Sequence, residues 1–349
     1  MDGKDVHAVV IGIGKYENLR IPPLRGCGND TDDVVKYLRD DLGVPSPHIV
    51  NLRDEEATQS AILASLDQKL INNPRITKKN AVVIYFAGHG SYAQVSPQWG
   101  CVGNIAETIC PYNEGALSGK GGIVRGIPQP TLHALLSRLE HVRGCDITVI
   151  LDSCHSGGMS QILRGDTVTA RSALPTCSTP LPLDLDLDIR CGIPVVPRRA
   201  NLTPIRATFQ PDASSHHGPY TMLAACGQNE SAYEVVDDNG EHRGAFTLEL
   251  FQVLRREPSL SYRQITSRVA GKLRTLNQRP QCRGPNRKLD KIPFAQSPFI
   301  PALARIDRRR KPVVLRIIRP TYLRIGFLLA RFGCSVLRRW RSSKTVLEF

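Results

Sequence analysis

Apolar positions fall into short runs rich in Val, Ile and Ala, separated by longer stretches of helical period. Val6–Ile13, Ala81–Ala87 and Asp146–Leu151 are nearly continuous runs of this kind, the pattern of strands covered on both faces. Tyr220–Ala225 is predicted as a fourth strand and His48–Leu52 as a short one. Between them, Asn29–Leu42 carries Val34, Val35, Leu38 and Leu42, and Thr58–Ile71 carries Ile62, Leu63, Leu66 and Leu70. Those spacings put each set on one side of a helix. Pro130–Leu139 has proline in its first turn, where the missing N–H costs nothing. Phe246–Leu254 and Tyr262–Leu276 supply two later helices. Strands alternating with helices of this length predict an α/β fold with a mainly parallel central sheet and helices on both faces.

Two segments break the pattern. Residues 91–127, with Pro97, Pro111 and many glycines, read as a hairpin or long loop over one end of the sheet. Residues 159–218 contain PTCSTPLPLDLDLDIRCGIPVVPRR, with little helical period. Irregular stretches of that length inside a domain are either functional or disordered.

Charge alters this picture only at the end of the chain. The 46 Lys and Arg against 32 Asp and Glu give +14, but residues 301–349 alone hold 13 basic and two acidic side chains, or +11. The other 300 residues therefore carry 14 − 11 = +3, which argues against a nucleic-acid partner for the globular part. Ten cysteines are scattered without a C-x-x-C pair or zinc-ligand spacing. The first residues enter a strand pattern at once rather than a signal sequence, and no apolar run is long enough to span a bilayer. A reduced, soluble, cytoplasmic protein is expected.

In an open parallel sheet, reactive groups collect at the carboxyl ends of strands. Two ends stand out: AVVIYFAGHGS, which places His89 after one strand, and ITVILDSCHSGG, which places Cys154 after another. Gly88 and Gly90 flank the first, and Gly157 and Gly158 follow the second. A cysteine needs a positioned imidazole to hold its thiolate near neutral pH, and a histidine at an adjacent strand end supplies one. His155 is a poorer partner, because neighbouring side chains at a strand end diverge. Ser153 and Ser156 lack an identifiable base.

The pair Y-F-A-G-H-G and D-S-C-H-S-G resembles the caspase-like cysteine peptidases, and within them the metacaspases and related fungal caspase-domain proteins. The likeness extends over residues 7–295, through HAVVIGIGKYEN, LRGCGNDTDDVVKYL, AACGQNESAYE and GAFTLELFQVL. It implies a caspase-like fold and a cysteine endopeptidase, made as a zymogen and active in apoptosis-type proteolysis. Cys154 is then the nucleophile, His89 the general acid for the leaving amine, and the N–H groups of Gly90 and Cys154 the oxyanion donors. It also implies protein or peptide substrates cut after Arg or Lys, with Asp30, Asp152 and Cys27 lining the pocket for that residue. Ala87 stands where metacaspases usually carry a serine.

Calcium is not expected. The positions matching the family's calcium-binding carboxylates hold Asn113, Gln129, Pro130 and Thr131, leaving Glu114 as the nearest acid, while a hard cation wants roughly six to eight oxygens.

The resemblance divides the chain into a large-subunit-like region 1–158 with the dyad, a linker 159–218, a small-subunit-like region 219–300 and a basic tail 301–349. The linker is a processing region or an uncut insertion; Arg164, Arg171, Arg190, Arg198, Arg199 and Arg206 are its basic candidates for self-cleavage. Within the tail, 316–340 reads as a basic amphipathic helix able to lie on an anionic membrane, or as a misassigned gene end. The rival to a peptidase is a non-catalytic signalling or interaction module that keeps the fold.

Overall fold

The computed structural model describes residues 2–119, 121–154, 168–191, 218–227 and 230–294. In chain order the strands are β1 (Val6–Gly12), β2 (Ile49–Arg53), β3 (Ala81–Ala87), β4 (Gly90–Gln94), β5 (Ile105–Ile109) and β6 (Ile127–Pro128). They continue with β7 (Asp146–Asp152), β8 (Thr169–Ala170), β9 (Thr221–Ala224), β10 (Tyr233–Val236), β11 (His242–Gly244) and β12 (Gln281–Arg283). The α-helices are α1 (Cys27–Lys36), α2 (Gln59–Ala64), α3 (Gln129–Arg143), α4 (Leu187–Cys191), α5 (Ala245–Arg256), α6 (Tyr262–Lys272) and the short α7 (Asn286–Leu289).

The central sheet has six strands in the order β12-β9-β7-β3-β1-β2, parallel except for the antiparallel edge strand β12. β1 and β3 are buried along their whole length, as their unbroken apolar runs require. One core lies on the face covered by α1, α5 and α6, where Val10, Val83, Tyr85 and Ile150 meet Val34, Phe246, Phe251 and Ile265. On the opposite face Val9, Ile11, Val82 and Val149 meet Ile62 and Leu66 of the α2 region and Leu135 and Leu139 of α3. The alternation of side chains along each strand divides them between these two cores.

The predicted helices at 29–42 and 58–71 occur, but each ends in a wider π turn, Tyr37–Asp41 after α1 and Ser65–Ile71 after α2. The segment 91–127 forms the antiparallel hairpin β4–β5, extended by β6. Under it Trp99, Ala93 and Val95 form a small core closed by Leu181. Sequence reasoning assigned 159–218 no elements, yet α4 and the short β8 lie within it. β8 joins β10 and β11 in a separate three-stranded sheet. These strands of two to four residues are too short to give a readable period. The tail 301–349, with the proposed 316–340 helix, lies outside the described residues, as do 155–167 and 192–217. Among the described residues no helix is long and apolar enough to cross a membrane.

Candidate active site

β3 and β7 are hydrogen-bonded neighbours with Ala87 opposite Asp152, so both chains leave the sheet at the same edge. The Gly88 N–H reaches the Asp152 carbonyl at 3.4 Å. A Cβ on Gly88 would press on the Phe86 ring at 2.9 Å and the Tyr16 hydroxyl at 3.2 Å, so the turn into His89 requires glycine. The His89 N–H donates to the Tyr16 hydroxyl at 2.8 Å, and Nε2 lies 2.8 Å from the Pro22 carbonyl. A carbonyl only accepts, so Nε2 carries the proton and Nδ1 the lone pair. Nδ1 is buried with no partner at hydrogen-bonding geometry. Burial lowers the imidazole to about 4, against the opposing effects of the Pro22 bond and the Arg171 main chain.

Cys154 is fully buried. Its Sγ accepts from the Ala232 N–H at 2.7 Å and faces the Ala232 carbonyl at 3.2 Å. Burial by itself would raise the thiol; hydrogen bonds from Cys226 and the Ala232 N–H outweigh it and bring Cys154 below the ordinary cysteine value. Cys226 is raised in turn, chiefly through its bond to Cys154. The other candidates beside the nucleophile divide two ways. Ser153 is buried with an unpartnered hydroxyl, whereas His155 and Ser156 lie outside the described residues.

Asp30 and Asp152, far apart in sequence, converge on one guanidinium. Arg171 Nη2 contacts Asp30 Oδ2 at 2.5 Å and Glu234 Oε1 at 3.0 Å, and Nη1 contacts Asp152 Oδ2 at 3.0 Å. The Arg171 and Asp30 side chains are 0% exposed and that of Glu234 is 2% exposed, so each charge is desolvated and tolerable only with its partners in place. Burial raises Asp30 to about 6 against the pull of Arg171. Burial also acts to raise Glu234, but Arg171 and the N–H groups of Arg25 and Gly26 hold it below the ordinary carboxylate value. The carboxylates are fixed from behind. The Gly244 N–H donates to Asp30, and the Thr247 N–H and hydroxyl donate to Asp152 Oδ2 at 3.1 and 2.6 Å at the start of α5. Arg243 adds a second cation on Asp30 at 3.3 Å. Cys27 lies on Glu234, its Sγ 3.8 Å from Oε1.

The main chain of Arg171 is held as closely as its side chain. Its carbonyl oxygen accepts from the Gly90 N–H at 3.1 Å and the Cys154 N–H at 3.0 Å, the two groups expected as oxyanion donors. Its own N–H donates to the Ala232 carbonyl at 2.9 Å. On one side β8 pairs antiparallel with β10, Ala170 opposite Tyr233 and Thr169 opposite Glu234. On the other, Ser172 bridges to Gly90, and the Ala173 N–H donates to the Gly90 carbonyl at 2.9 Å.

The sequence-predicted residues His89, Gly90, Cys154, Asp30, Asp152 and Cys27 thus gather around one residue, and Ala87 sits in register beside Asp152. Sequence reasoning missed Glu234, Arg243 and Thr247, and it listed Arg171 only among six cleavage candidates. Glu234 had a visible signal, an acid inside the otherwise apolar alternation AYEVV.

At 24% identity over 298 residues, the chain is similar to Metacaspase-1 of Mycosarcoma maydis, covering 80% of this chain and 70% of that protein. It is 29% identical over 140 residues to Metacaspase-7 of Arabidopsis thaliana, covering 39% of this chain and 31% of the relative. A crystal structure of a Geobacter sulfurreducens protein matches with a TM-score of 0.54 at 17% identity, covering 83% of this chain and 98% of that one, a likeness of fold. The caspase-domain model matches residues 5–292, through both strand ends and the three carboxylates that hold Arg171, and the chain belongs to the caspase-domain family.

Proposed function

We propose that this chain is a cysteine endopeptidase that cuts peptides after Arg, and less well after Lys, using Cys154 and His89. Family membership supports cysteine peptidase chemistry and protein substrates. The finer reading is carried by one observation: an arginine whose carbonyl meets the Gly90 and Cys154 N–H groups while its guanidinium meets three carboxylates. That is the pose a residue must take just before its peptide bond is attacked. In this reading Nδ1 of His89 takes the Cys154 proton and returns it to the leaving amine, while Pro22 fixes the tautomer. Three carboxylates around a planar fork favour Arg over Lys and exclude acidic side chains.

No calcium is required in this reading. Asn113 Oδ1 accepts from the Gln59 N–H, the Thr131 hydroxyl donates to Asp186, and the Glu114 carboxylate is buried against Thr176. Asn113 Oδ1, the Thr131 hydroxyl and Glu114 Oε1 are thus engaged in internal hydrogen bonds, and Glu114 Oε2 alone is left without a partner. Purified protein under reducing conditions is expected to hydrolyse an Arg-terminated reporter, with or without chelator, and to ignore an Asp-terminated one. Cys154→Ala is expected to abolish turnover. A folded wild-type protein that turns over neither reporter would overturn the peptidase reading and leave a caspase-fold interaction module as the alternative.

A further inference from the structure

We propose that Cys226 is a resolving cysteine: once a hydroperoxide has oxidised Cys154, Cys226 closes a disulfide onto it, silencing the nucleophile and keeping it recoverable by thiols. The effect on turnover rests on the peptidase reading above; the bond itself does not.

The fold sets the two thiols side by side at the ends of neighbouring parallel strands. β7 pairs with β9 up to Leu151 opposite Ala224, and the Ala225 N–H donates to the Leu151 carbonyl at 2.9 Å. That register carries Cys226 alongside Ser153, one residue before the nucleophile, and the Cys226 Sγ lies 3.7 Å from the Ser153 carbonyl. Adjacent strands lie about 4.8 Å apart, so a one-residue offset stays within the roughly 4.4–6.8 Å between Cα atoms that a disulfide spans. The Cys226 thiol already hydrogen-bonds the Cys154 sulfur, so the two sulfurs meet without a change in main-chain path. A cysteine kept only for packing would bury its sulfur among apolar groups. Cys226 instead turns to Cys154 and to the Ser153 and Glu230 carbonyls, the second at 3.4 Å. Cys27, the other thiol of the site, faces the Glu234 carboxylate, and burial raises it well above the ordinary cysteine value.

Reactivity and access fit the same roles. Cys154 is the thiol brought below its ordinary value, so it is the one a peroxide oxidises first. Cys226 is raised chiefly by its bond to Cys154, a cause that ends when the thiolate becomes a neutral sulfenic acid. Cys154 is fully buried and Cys226 nearly so. Cys226 nevertheless lines an open cleft between β5, α3 and β9, beside Ile109, Leu132, Leu151 and Met222, which gives a water-sized oxidant a way in to the pair.

The reaction balances with one hydrogen peroxide. The Cys154 sulfur attacks the peroxide, forming an S–O bond as the O–O bond breaks, and the departing hydroxide takes the Cys154 proton as water. The Cys226 sulfur then attacks the Cys154 sulfur. An S–S bond forms, the S–O bond breaks, and hydroxide leaves with the Cys226 proton as a second water. The two sulfurs together lose two electrons, and the peroxide gains them. A thiol reductant reverses the bond by exchange.

The test treats the reduced full-length chain, freed of added thiol, with hydrogen peroxide in slight excess, then blocks remaining thiols with N-ethylmaleimide and maps the peptides by mass. Wild type is expected to yield peptides joined through 154 and 226, two hydrogens lighter than their sum, and to lose Arg-reporter turnover that dithiothreitol restores. Cys226→Ser, read against its own untreated rate, is expected to lose turnover that dithiothreitol does not restore, with two or three oxygens added at Cys154. Circular dichroism checks folding, and the wild-type map decides the matter even where the variant does not fold. A folded wild type whose Cys154 stays reduced, oxidises without joining Cys226, or joins another cysteine overturns the proposal. So does recovery of Cys226→Ser as complete as that of wild type. A joined pair in a chain that turns over no reporter even when reduced leaves the bond standing and overturns the peptidase reading.

Discussion

Burial decides the chemistry of the titrating groups. His89, lowered to about 4 by burial, is neutral at pH 7, the state that the proposed role of accepting the Cys154 proton calls for. Glu114 is displaced in the opposite direction. Burial raises it from 4.5 to about 7, while bonds from Cys110 and Thr176 only partly oppose the rise. The folded chain therefore holds a proton that the unfolded chain gives up near 4.5. Its contribution to stability is complete below that pH and is lost as pH rises through about 7. In a Cys154→Ala background, Glu114→Gln is expected to leave stability nearly unchanged at pH 4 and to raise it at pH 8. The gain is at most about 3 kcal/mol by urea unfolding. No difference between the two pH values would show that Glu114 is ionised in the fold. The placement of His89 and Cys154 at neighbouring strand ends was legible in the sequence, because glycine turns and β-branched runs mark such ends. The occupant of their pocket was not, since Arg171 stands 17 positions after the nucleophile in a stretch without period.

The central strands were read to within one or two residues of their ends, because burial on both faces leaves an unbroken apolar run. The sheet of β8, β10 and β11 was not, although it carries Glu234 and receives the segment before Arg171. Its strands are short, and two of the side chains that tie it to α1 are charged: Arg243 pairs with Asp30 and Asp33, while Glu234 accepts from the Arg25 and Gly26 N–H groups just before that helix. The junction of β11 and α5 is the tightest point of this arrangement. A Cβ on Gly244 would collide with Asp152 Oδ2 and the Arg171 guanidinium. Its φ of −66° is one any residue adopts, so Gly244→Ala tests the contact and not the backbone. The variant is expected to lose about 1–3 kcal/mol of stability, seen as a lower urea midpoint, and to turn over the Arg reporter at least ten-fold more slowly. A wild-type-like rate would mean that the pocket tolerates displacement of its carboxylates.

Across the whole molecule, a cut in the linker expected to be a processing region would change connectivity more than packing. β7 precedes the cut and β9 follows it, yet the two are adjacent in the central sheet, paired from Thr148 opposite Thr221 to Leu151 opposite Ala224. α5 and α6, which complete one core, also come from the second piece. A new amino terminus ahead of Thr179 would stay tied down through Leu181 and through the bond from Arg125 to Thr179. The two pieces are expected to co-elute on native size exclusion and to separate only in denaturant. Their separation on the native column would show that the intact linker, rather than the shared sheet, holds the halves together.

In the proposed peptidase reading, the placement of Arg171 on the three carboxylates would give the protein a sense of time. A tethered segment occupies its site at an effective concentration that free peptides of ordinary abundance do not reach. Newly made chains would therefore be inert toward their surroundings, whatever substrate is present. Each would wait for one internal event whose delay is a property of the single molecule. Such a clock is set by how fast β8 peels from β10. It does not depend on how many copies the cell has made.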